Sequence, residues 1–176
     1  IILPGLESSA ESAYARMLMQ AAAARQWRCC VLQFRDCGDY RNVLPRRYHA
    51  GETNDVRYFV ARLEREGQFG PIVAAGYSLG GNVLLKYPGE SGAGCPLKGA
   101  AAVCVPLNRH ACADALNTGI SKGYQRYLLK RMKRAVTRKF NPHTAAFDWQ
   151  RAMQASTFAE FDDAVTAPLH GFANKD

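Results

Sequence analysis

The sequence predicts an α/β protein in which helices cover both faces of a parallel sheet. Short apolar runs alternate with segments whose apolar residues recur every three or four positions, as on an amphipathic helix. The runs are continuously apolar, which is typical of strands that are buried on both faces. One run, residues 72–76, leads directly into a glycine-rich turn and then into a helical segment. Strands that alternate with helices in this way usually join in parallel.

The first 105 residues contain all the predicted strands. Strands are predicted at 1–3, 30–34, 72–76 and 98–105, helices at 9–27, at 52–66 and from Asn82, and a polar loop at 36–51. Gly67 is expected to end the second helix, because glycine readily takes the left-handed conformation that closes a helix. Pro88 is expected to end the third helix, because its ring removes one hydrogen bond and clashes with the preceding turn.

After Pro106 the pattern changes to helices with no clear strand between them. They are predicted at 109–116, 121–140, 145–155 and 158–165. The residues between Lys122 and Lys139 include no acidic side chain and eight basic ones: Lys122, Arg126, Lys130, Arg131, Lys133, Arg134, Arg138 and Lys139. Apolar residues recur between them at helical spacing: Tyr124, Tyr127, Leu128, Met132, Ala135 and Val136. The segment therefore predicts a basic amphipathic helix.

This basic helix has three interpretations. The favoured one is a helix that buries its apolar face and leaves its basic side in water, because most amphipathic helices simply cover a core. A second is peripheral contact with an anionic membrane, or with a lipid substrate at its surface, through residues 122–139. Nucleic acid is not expected as a partner, because no known nucleic-acid-binding motif accompanies the charge.

Composition limits the remaining classes. The net charge is +8, 48% of the residues are apolar, and no apolar run approaches the roughly 20 residues of a membrane span. None of the six cysteines has zinc-site spacing, so we expect neither a metal site nor a disulfide framework. Unpaired thiols fit a reducing cytosol, so a cytoplasmic location is expected. The chain begins without Met inside an apparent strand, and we expect a piece truncated at both ends.

The strongest motif is Gly76-Tyr77-Ser78-Leu79-Gly80, which has the Gly-x-Ser-x-Gly pattern of a nucleophile elbow. Its flanks agree, since an apolar strand precedes it and a helix start follows it. Such a turn holds the serine hydroxyl exposed at the top of the sheet. Small residues are needed where the strand and the helix pass close to each other. The alternative is a glycine-rich turn with an incidental serine, which the flanks disfavour.

Beyond this motif, the chain resembles the YheT-like family of α/β-hydrolases along nearly its whole length. The matching stretches are Gly5-Leu6-Glu7, Tyr14-Ala15, Phe34-Arg35-x-Cys37, Leu44-Pro45-x-x-Tyr48-His49-x-Gly51-Glu52-Thr53, 76–82, Cys112-Ala113-Asp114, 124–129 and 161–171. The resemblance implies an α/β-hydrolase fold with residues 1–105 as a partial core and residues 106–176 as an incomplete helical cap. It also implies a serine carboxylesterase or acylglycerol lipase that acts on acyl esters without a cofactor.

In such an enzyme Ser78 would attack the ester carbonyl and form an acyl-enzyme. The oxyanion would accept hydrogen bonds from the backbone N–H of Leu79 and, by the resemblance, from that of Leu6. The family has His-Gly-Leu-Glu-Gly where this chain has Pro4-Gly5-Leu6-Glu7-Ser8. Pro4 fixes its own φ and Ser8 tolerates positive φ less readily than glycine, so the loop is expected to aim the second donor differently.

The other triad members are not expected within this chain. In this fold the order is nucleophile, acid and then histidine, which Asp162 or Asp163 followed by His170 would satisfy. That trio is rejected, because acid and base should come from separate strand ends and these residues share one helical segment. The resemblance places the acid and the histidine beyond Asp176.

The remaining histidines and acids have mainly structural interpretations. His110 and His143 also follow Ser78 in the sequence. His49 precedes the nucleophile and is interpreted as a hydrogen-bonded structural residue, with a pocket-lining role as the alternative. Asp36 and Asp55 are interpreted as loop or helix-cap residues.

Three functional hypotheses stay open at this point. The first is an ester hydrolase, and the second is an acyltransferase in which an alcohol takes the acyl group instead of water. The third is a non-catalytic, decayed fragment, suggested by Pro4, Ser8 and the missing triad members. We expect the 176-residue chain alone to be inactive and poorly folded, because it leaves sheet edges unpaired.

Overall fold

The structure, a computed structural model, describes residues 1–39 and 41–172, which form two compact units. The first unit contains residues 1–38 and 48–107, and the second contains residues 39–47 and the segment that begins at Asn108. The predicted division of the chain into a core (1–105) and a cap (106–176) stays a prediction, and its last four residues lie outside the described range.

The first unit contains the sheet. Its elements in chain order are β1 (Ile2–Leu3), α1 (Ala13–Ala23), α2 (Asn54–Glu66), β2 (Val73–Tyr77), α3 (Leu79–Ser91) and β3 (Gly99–Val103). The strands are parallel in the order β1–β2–β3, with Ala75 opposite Ile2 on one side and Ala101 on the other. The predicted parallel sheet and its alternation with helices are therefore confirmed.

The predicted strand at 30–34 is wrong as a full strand. Its backbone makes a single parallel bridge, in which Val31 lies opposite Ile2. The Ile2 N–H donates to the Cys30 oxygen at 2.8 Å, and the Leu32 N–H donates to the Ile2 oxygen at 2.9 Å. Because β1 has only two residues, the segment cannot form more than this one bridge with it.

The core of the first unit lies where α2 and α3 pack with the sheet. Its fully buried apolar side chains include Leu3, Val56, Val60, Val83 and Leu84. By contrast, residues 100–103 of β3 are exposed, although their continuous apolar sequence predicts burial on both faces. β3 pairs only with β2 among the described strands, so one of its edges has no strand neighbour in that part of the chain.

Two helix ends are set by local geometry. α1 begins at Ala13 rather than at residue 9, because the Ser12 N–H and hydroxyl both donate to the Ser9 oxygen and form a turn there. α2 ends as predicted at Gly67, whose φ of 61° is the left-handed conformation that favours glycine.

The prediction that Pro88 ends α3 is wrong, since the helix continues to Ser91. Glu90 lies beyond the proline and binds α2 and its cap. Its carboxylate accepts hydrogen bonds from the Thr53 hydroxyl at 2.6 Å and from the Arg57 guanidinium at 3.1 Å. The Thr53 hydrogen bond is the main cause that lowers the pKa of Glu90. These contacts stabilise the last turn of α3, which the proline alone would destabilise.

The second unit is helical in its described part. Its elements are α4 (Arg109–Leu116), α5 (Ser121–Lys139), α6 (Trp149–Gln154), α7 (Phe158–Phe161), a π-helical turn (Asp162–Thr166) and α8 (Ala167–His170). The predicted helices are confirmed, although α6 begins only at Trp149. There the Asp148 carboxylate accepts the Arg151 N–H at 2.9 Å and caps the helix. No helix in residues 1–39 or 41–172 is long and apolar enough to cross a bilayer.

The buried face of α5 differs from the predicted one at its start. Tyr124 and Tyr127 are 58% and 53% exposed, although both were expected on the apolar face. Gln125 and Leu129 are buried instead, together with Leu128, Met132, Ala135 and Val136. The buried Gln125 amide donates to Asn117 Oδ1 at 2.9 Å, a bond that accompanies its place on the buried face, while the tyrosines face solvent.

Candidate active site

Ser78 lies in the strand–turn–helix context that its motif predicts. It is the single residue between β2 and α3, and its φ of 51° and ψ of −118° are unusual for a residue with a side chain. The backbone N–H of Ser78 donates to the Val103 carbonyl at 2.8 Å. The backbone carbonyl oxygen of Ser78 accepts from the N–H groups of Gly81 and Asn82. These bonds hold the turn from both sides.

The glycines around Ser78 allow the strand and the helix to approach each other. A Cβ on Gly76 would lie 2.5 Å from the Gly80 oxygen, and one on Gly81 would lie 2.5 Å from Val105 Cγ2. A Cβ on Gly80 would collide with the backbone carbonyl groups of Leu3 and Pro4. Gly76 and Gly80 are therefore required by backbone packing, as the sequence predicts, whereas Gly81 makes room for the Val105 side chain.

Two backbone N–H groups near Ser78 have no acceptor among the described residues. The first belongs to Leu79, the first residue of α3, where the helix dipole is positive. The second belongs to Leu6, in the loop that follows β1. That loop is adjacent to the serine, because a Cβ added to Gly5 would lie 3.5 Å from Ser78 Cβ. Neither predicted oxyanion donor is thus engaged by a described residue, and both belong to segments that lie next to Ser78 in space.

The neighbours of Leu6 have partners that the sequence analysis missed. The Gly5 N–H donates to the Tyr14 hydroxyl at 2.8 Å, and the Glu7 N–H donates to the Tyr48 hydroxyl at 2.7 Å. Both tyrosines occur in stretches that match the family, which was the signal that could have found them.

The two residues of this loop that differ from the family pattern are Pro4 and Ser8. Pro4 is fully buried, and the Ser8 N–H donates to the Gly5 oxygen at 3.1 Å, which closes a turn. The positive φ falls on Glu7, at 53°, and not on Ser8. The argument from positive φ at Ser8 therefore does not apply, because that conformation lies one residue earlier, and the different aim of the Leu6 N–H stays a prediction.

The other candidate residues have structural partners. The Asp162 carboxylate accepts from the Thr166 hydroxyl at 2.7 Å and from Arg109 at 3.5 Å, and burial raises the pKa of Asp162. His170 lies in α8, in the same helical segment as Asp162 and Asp163.

His49 and Asp55 also have nearby partners. His49 Nδ1 accepts the Gly51 N–H at 3.2 Å, as the structural interpretation predicts. Asp55, in the first turn of α2, accepts two hydrogen bonds from the Arg35 guanidinium at 2.8 and 2.5 Å. Asp36 lies in a loop with a φ of 64°. His110 is in α4, and His143 lies between α5 and α6.

Comparison with known proteins gives the family. A family model described as alpha/beta hydrolase fold matches residues 1–166. The chain is 38% identical to "Putative esterase YheT" of Escherichia coli strain K12, over 99% of this chain and 52% of that protein. It is 27% identical to human "Phospholipase ABHD3", over 100% of this chain and 43% of that protein. It is 26% identical to "Monoacylglycerol lipase" of Saccharomyces cerevisiae, over 99% of this chain and 40% of that protein.

The chain thus spans about half the length, or somewhat less, of the curated relatives that it matches. No solved structure matches it significantly. The family match covers the first unit and the second as far as residue 166, and the resemblance to YheT is confirmed. The chain belongs to the α/β-hydrolase fold family.

Proposed function

We propose that the full-length protein is a serine hydrolase of carboxylic esters in which Ser78 is the nucleophile. The observation that carries the proposal is the position of Ser78, alone between β2 and α3 at positive φ, next to the unengaged Leu79 N–H. The relatives named as an esterase, a phospholipase and a monoacylglycerol lipase support ester substrates.

The proposed reaction has two parallel halves. The Ser78 oxygen attacks the ester carbonyl while its proton passes to a histidine base, and the resulting oxyanion accepts hydrogen bonds from the N–H groups of Leu79 and Leu6. Collapse of this intermediate breaks the bond to the alcohol, which leaves with the proton. Water then attacks the acyl-enzyme in the same way and releases the acid. These steps use only protein groups and water, so the mechanism requires no cofactor.

The proposal assigns the acid and the histidine to residues after Asp176. It leaves Asp162, Asp163 and His170 outside the triad, because the three share one helical segment of the second unit. The contacts of Asp162 with Thr166 and Arg109 give this carboxylate a structural role that agrees with the assignment.

The full-length protein is expected to convert p-nitrophenyl butyrate to butyrate in water. In the presence of ethanol, an ester hydrolase should still release mainly the free acid, because water reaches its acyl-enzyme. Gas chromatography of the products measures both outcomes. Ethyl butyrate formed at the expense of butyrate would contradict hydrolysis and favour acyl transfer, and no turnover of any short-chain ester would favour a non-catalytic protein.

We also propose that α5 contacts an anionic membrane surface peripherally. Ile120, Tyr124 and Tyr127 are exposed at positions four and three residues apart, so they share one side of the helix. The basic side chains of Lys122, Arg126 and Lys130 are exposed as well. Tyrosine favours the membrane interface, and basic side chains favour anionic headgroups. Lys130 lies three residues after Tyr127 and borders the tyrosine side, whereas Lys122 and Arg126 lie further around the exposed face.

Replacing Tyr124 and Tyr127 by alanine together should weaken binding of the full-length protein to anionic vesicles about tenfold or more, because two interfacial rings are lost. Co-sedimentation with phosphatidylcholine vesicles that contain or lack phosphatidylserine measures this effect. Tyr58→Ala is the matched control, because Tyr58 is 65% exposed on α2. Equal binding by both variants, or binding to RNA with no vesicle binding, would contradict the proposal.

A further inference from the structure

We infer that Tyr14 and Tyr48 are positioning residues whose hydroxyls hold the loop after β1, residues 4–8, so that the Leu6 N–H stays available to the oxyanion. This inference rests on the proposed function, because it concerns the second donor of the same reaction. Neither tyrosine would contact the substrate in this role. Each would act through the backbone of the loop.

The hydrogen bonds of the loop alternate around Leu6. The N–H groups on both sides of it, from Gly5 and Glu7, donate to the two tyrosine hydroxyls at 2.8 and 2.7 Å. The Leu6 N–H between them has no acceptor among the described residues. Leu6 is half-buried, and its N–H is the one donor of residues 5–7 that no described residue engages. This pattern is what an oxyanion donor requires before substrate binds.

Tyr48 also holds the least favourable backbone conformation of the loop. Glu7 has a φ of 53°, which residues with side chains rarely adopt and which persists only when the surroundings enforce it. The Tyr48 hydroxyl accepts the Glu7 N–H and donates to Glu7 Oε1 at 2.9 Å. A single hydroxyl satisfies both bonds, because it has one proton and two lone pairs. Tyr48 therefore fixes the main chain and the side chain of Glu7 together.

Packing of the two tyrosine rings fixes the positions of both hydroxyls. The Tyr48 ring is buried and stacks on Phe34, with centroids 5.0 Å apart and planes at 13°. The Tyr14 ring lies 4.4 Å from the ring of Tyr77, the residue before Ser78. Tyr14 thus connects the loop to the end of β2, the strand that leads into Ser78. A displacement of about 1 Å in a positioned group is enough to lower a reaction rate strongly.

Tyr48→Phe in the full-length protein tests the inference, because it keeps the stacked ring and removes only the hydroxyl. We expect kcat to fall about tenfold with KM changed less than about twofold, since the donor acts mainly in the transition state. A trifluoromethyl ketone, which forms a tetrahedral oxyanion on the serine, should bind about tenfold more weakly. Tyr14→Phe should have an effect of the same kind, and the double variant a larger one.

Tyr87→Phe is the matched control, because Tyr87 is a buried tyrosine of α3 outside this loop. All rates are divided by the fraction of molecules that a fluorophosphonate labels at saturation. Misfolded molecules, which the reagent does not label, are thereby excluded from kcat. Normalised kcat and ketone affinity equal to those of the wild type in both Tyr48→Phe and Tyr14→Phe would overturn the inference. An equal loss in Tyr87→Phe would overturn it as well. If Ser78→Ala keeps full activity, the proposed function fails instead, and the two failures are distinguishable.

Discussion

Replacement of Ser78 by alanine is expected to lower hydrolysis of short-chain p-nitrophenyl esters by the full-length protein by at least about a thousandfold. Alanine removes the oxygen that attacks the carbonyl, while both backbone donors and the fold are retained. Any remaining rate would come from binding and from the oxyanion donors alone. Steady-state kinetics with p-nitrophenyl butyrate measures the loss.

A second serine of the same helix provides the control for this variant. Ser91 is at the opposite end of α3, where its hydroxyl donates to the backbone carbonyl oxygen of Tyr87 at 2.8 Å. Ser91→Ala should therefore change kcat/KM less than about twofold and affect only the end of the helix. Unchanged turnover in Ser78→Ala would refute the assignment of the nucleophile. Equal losses in both variants would indicate a general effect on the fold.

The largest expected effect on stability comes from Gly80→Ala. The new Cβ would meet the backbone carbonyl groups of Leu3 and Pro4, which cannot move without displacing β1. Overpacking of this kind costs typically about 1–3 kcal/mol, and we expect the upper end because the clash is with backbone. Urea denaturation of the full-length protein, followed by circular dichroism, measures the change in the free energy of unfolding.

Gly89→Ala is the matched control within the same helix. A Cβ on Gly89 would meet nothing within 4 Å, and alanine is the better helix former by about 1 kcal/mol. The two substitutions are chemically identical but should change the free energy of unfolding in opposite directions. If they shift it equally, the close approach of α3 to β1 is not a constraint on this protein.

The sequence was most informative where a single residue determines the local backbone. Gly67 ends α2 because its own φ is positive, and the glycines around Ser78 are needed because strand and helix nearly touch. Such constraints act over a few residues, so a motif contains nearly all of their information. This explains why the strand–turn–helix at Ser78 could be predicted in position and in form.

Features that depend on distant partners could not be predicted from the sequence. Pro88 stays inside α3 because Glu90 binds Thr53 and Arg57, which are more than thirty residues away in the chain. Residues 30–34 form only a bridge because β1 is short. A tertiary contact decided the outcome at Pro88, and the length of a strand distant in the sequence decided it at residues 30–34.

The same reason explains what was missed at the site and on the basic helix. Tyr14 and Tyr48 reach the loop after β1 from separate parts of the chain, and helical or strand periodicity contains no sign of their hydroxyl bonds. On α5, the Gln125 side chain binds Asn117 and is buried, which leaves Tyr124 exposed. A polar residue on a buried face does not follow from the apolar pattern alone.

The acyl-enzyme on Ser78 is the central claim, and mass spectrometry tests it most directly. The full-length protein is treated with a fluorophosphonate, digested, and the modified peptide sequenced. We expect one adduct per active molecule, located on Ser78, with esterase activity lost in proportion to labelling. An adduct on a different residue that accompanies loss of activity, or continued hydrolysis after complete labelling of Ser78, would contradict the account.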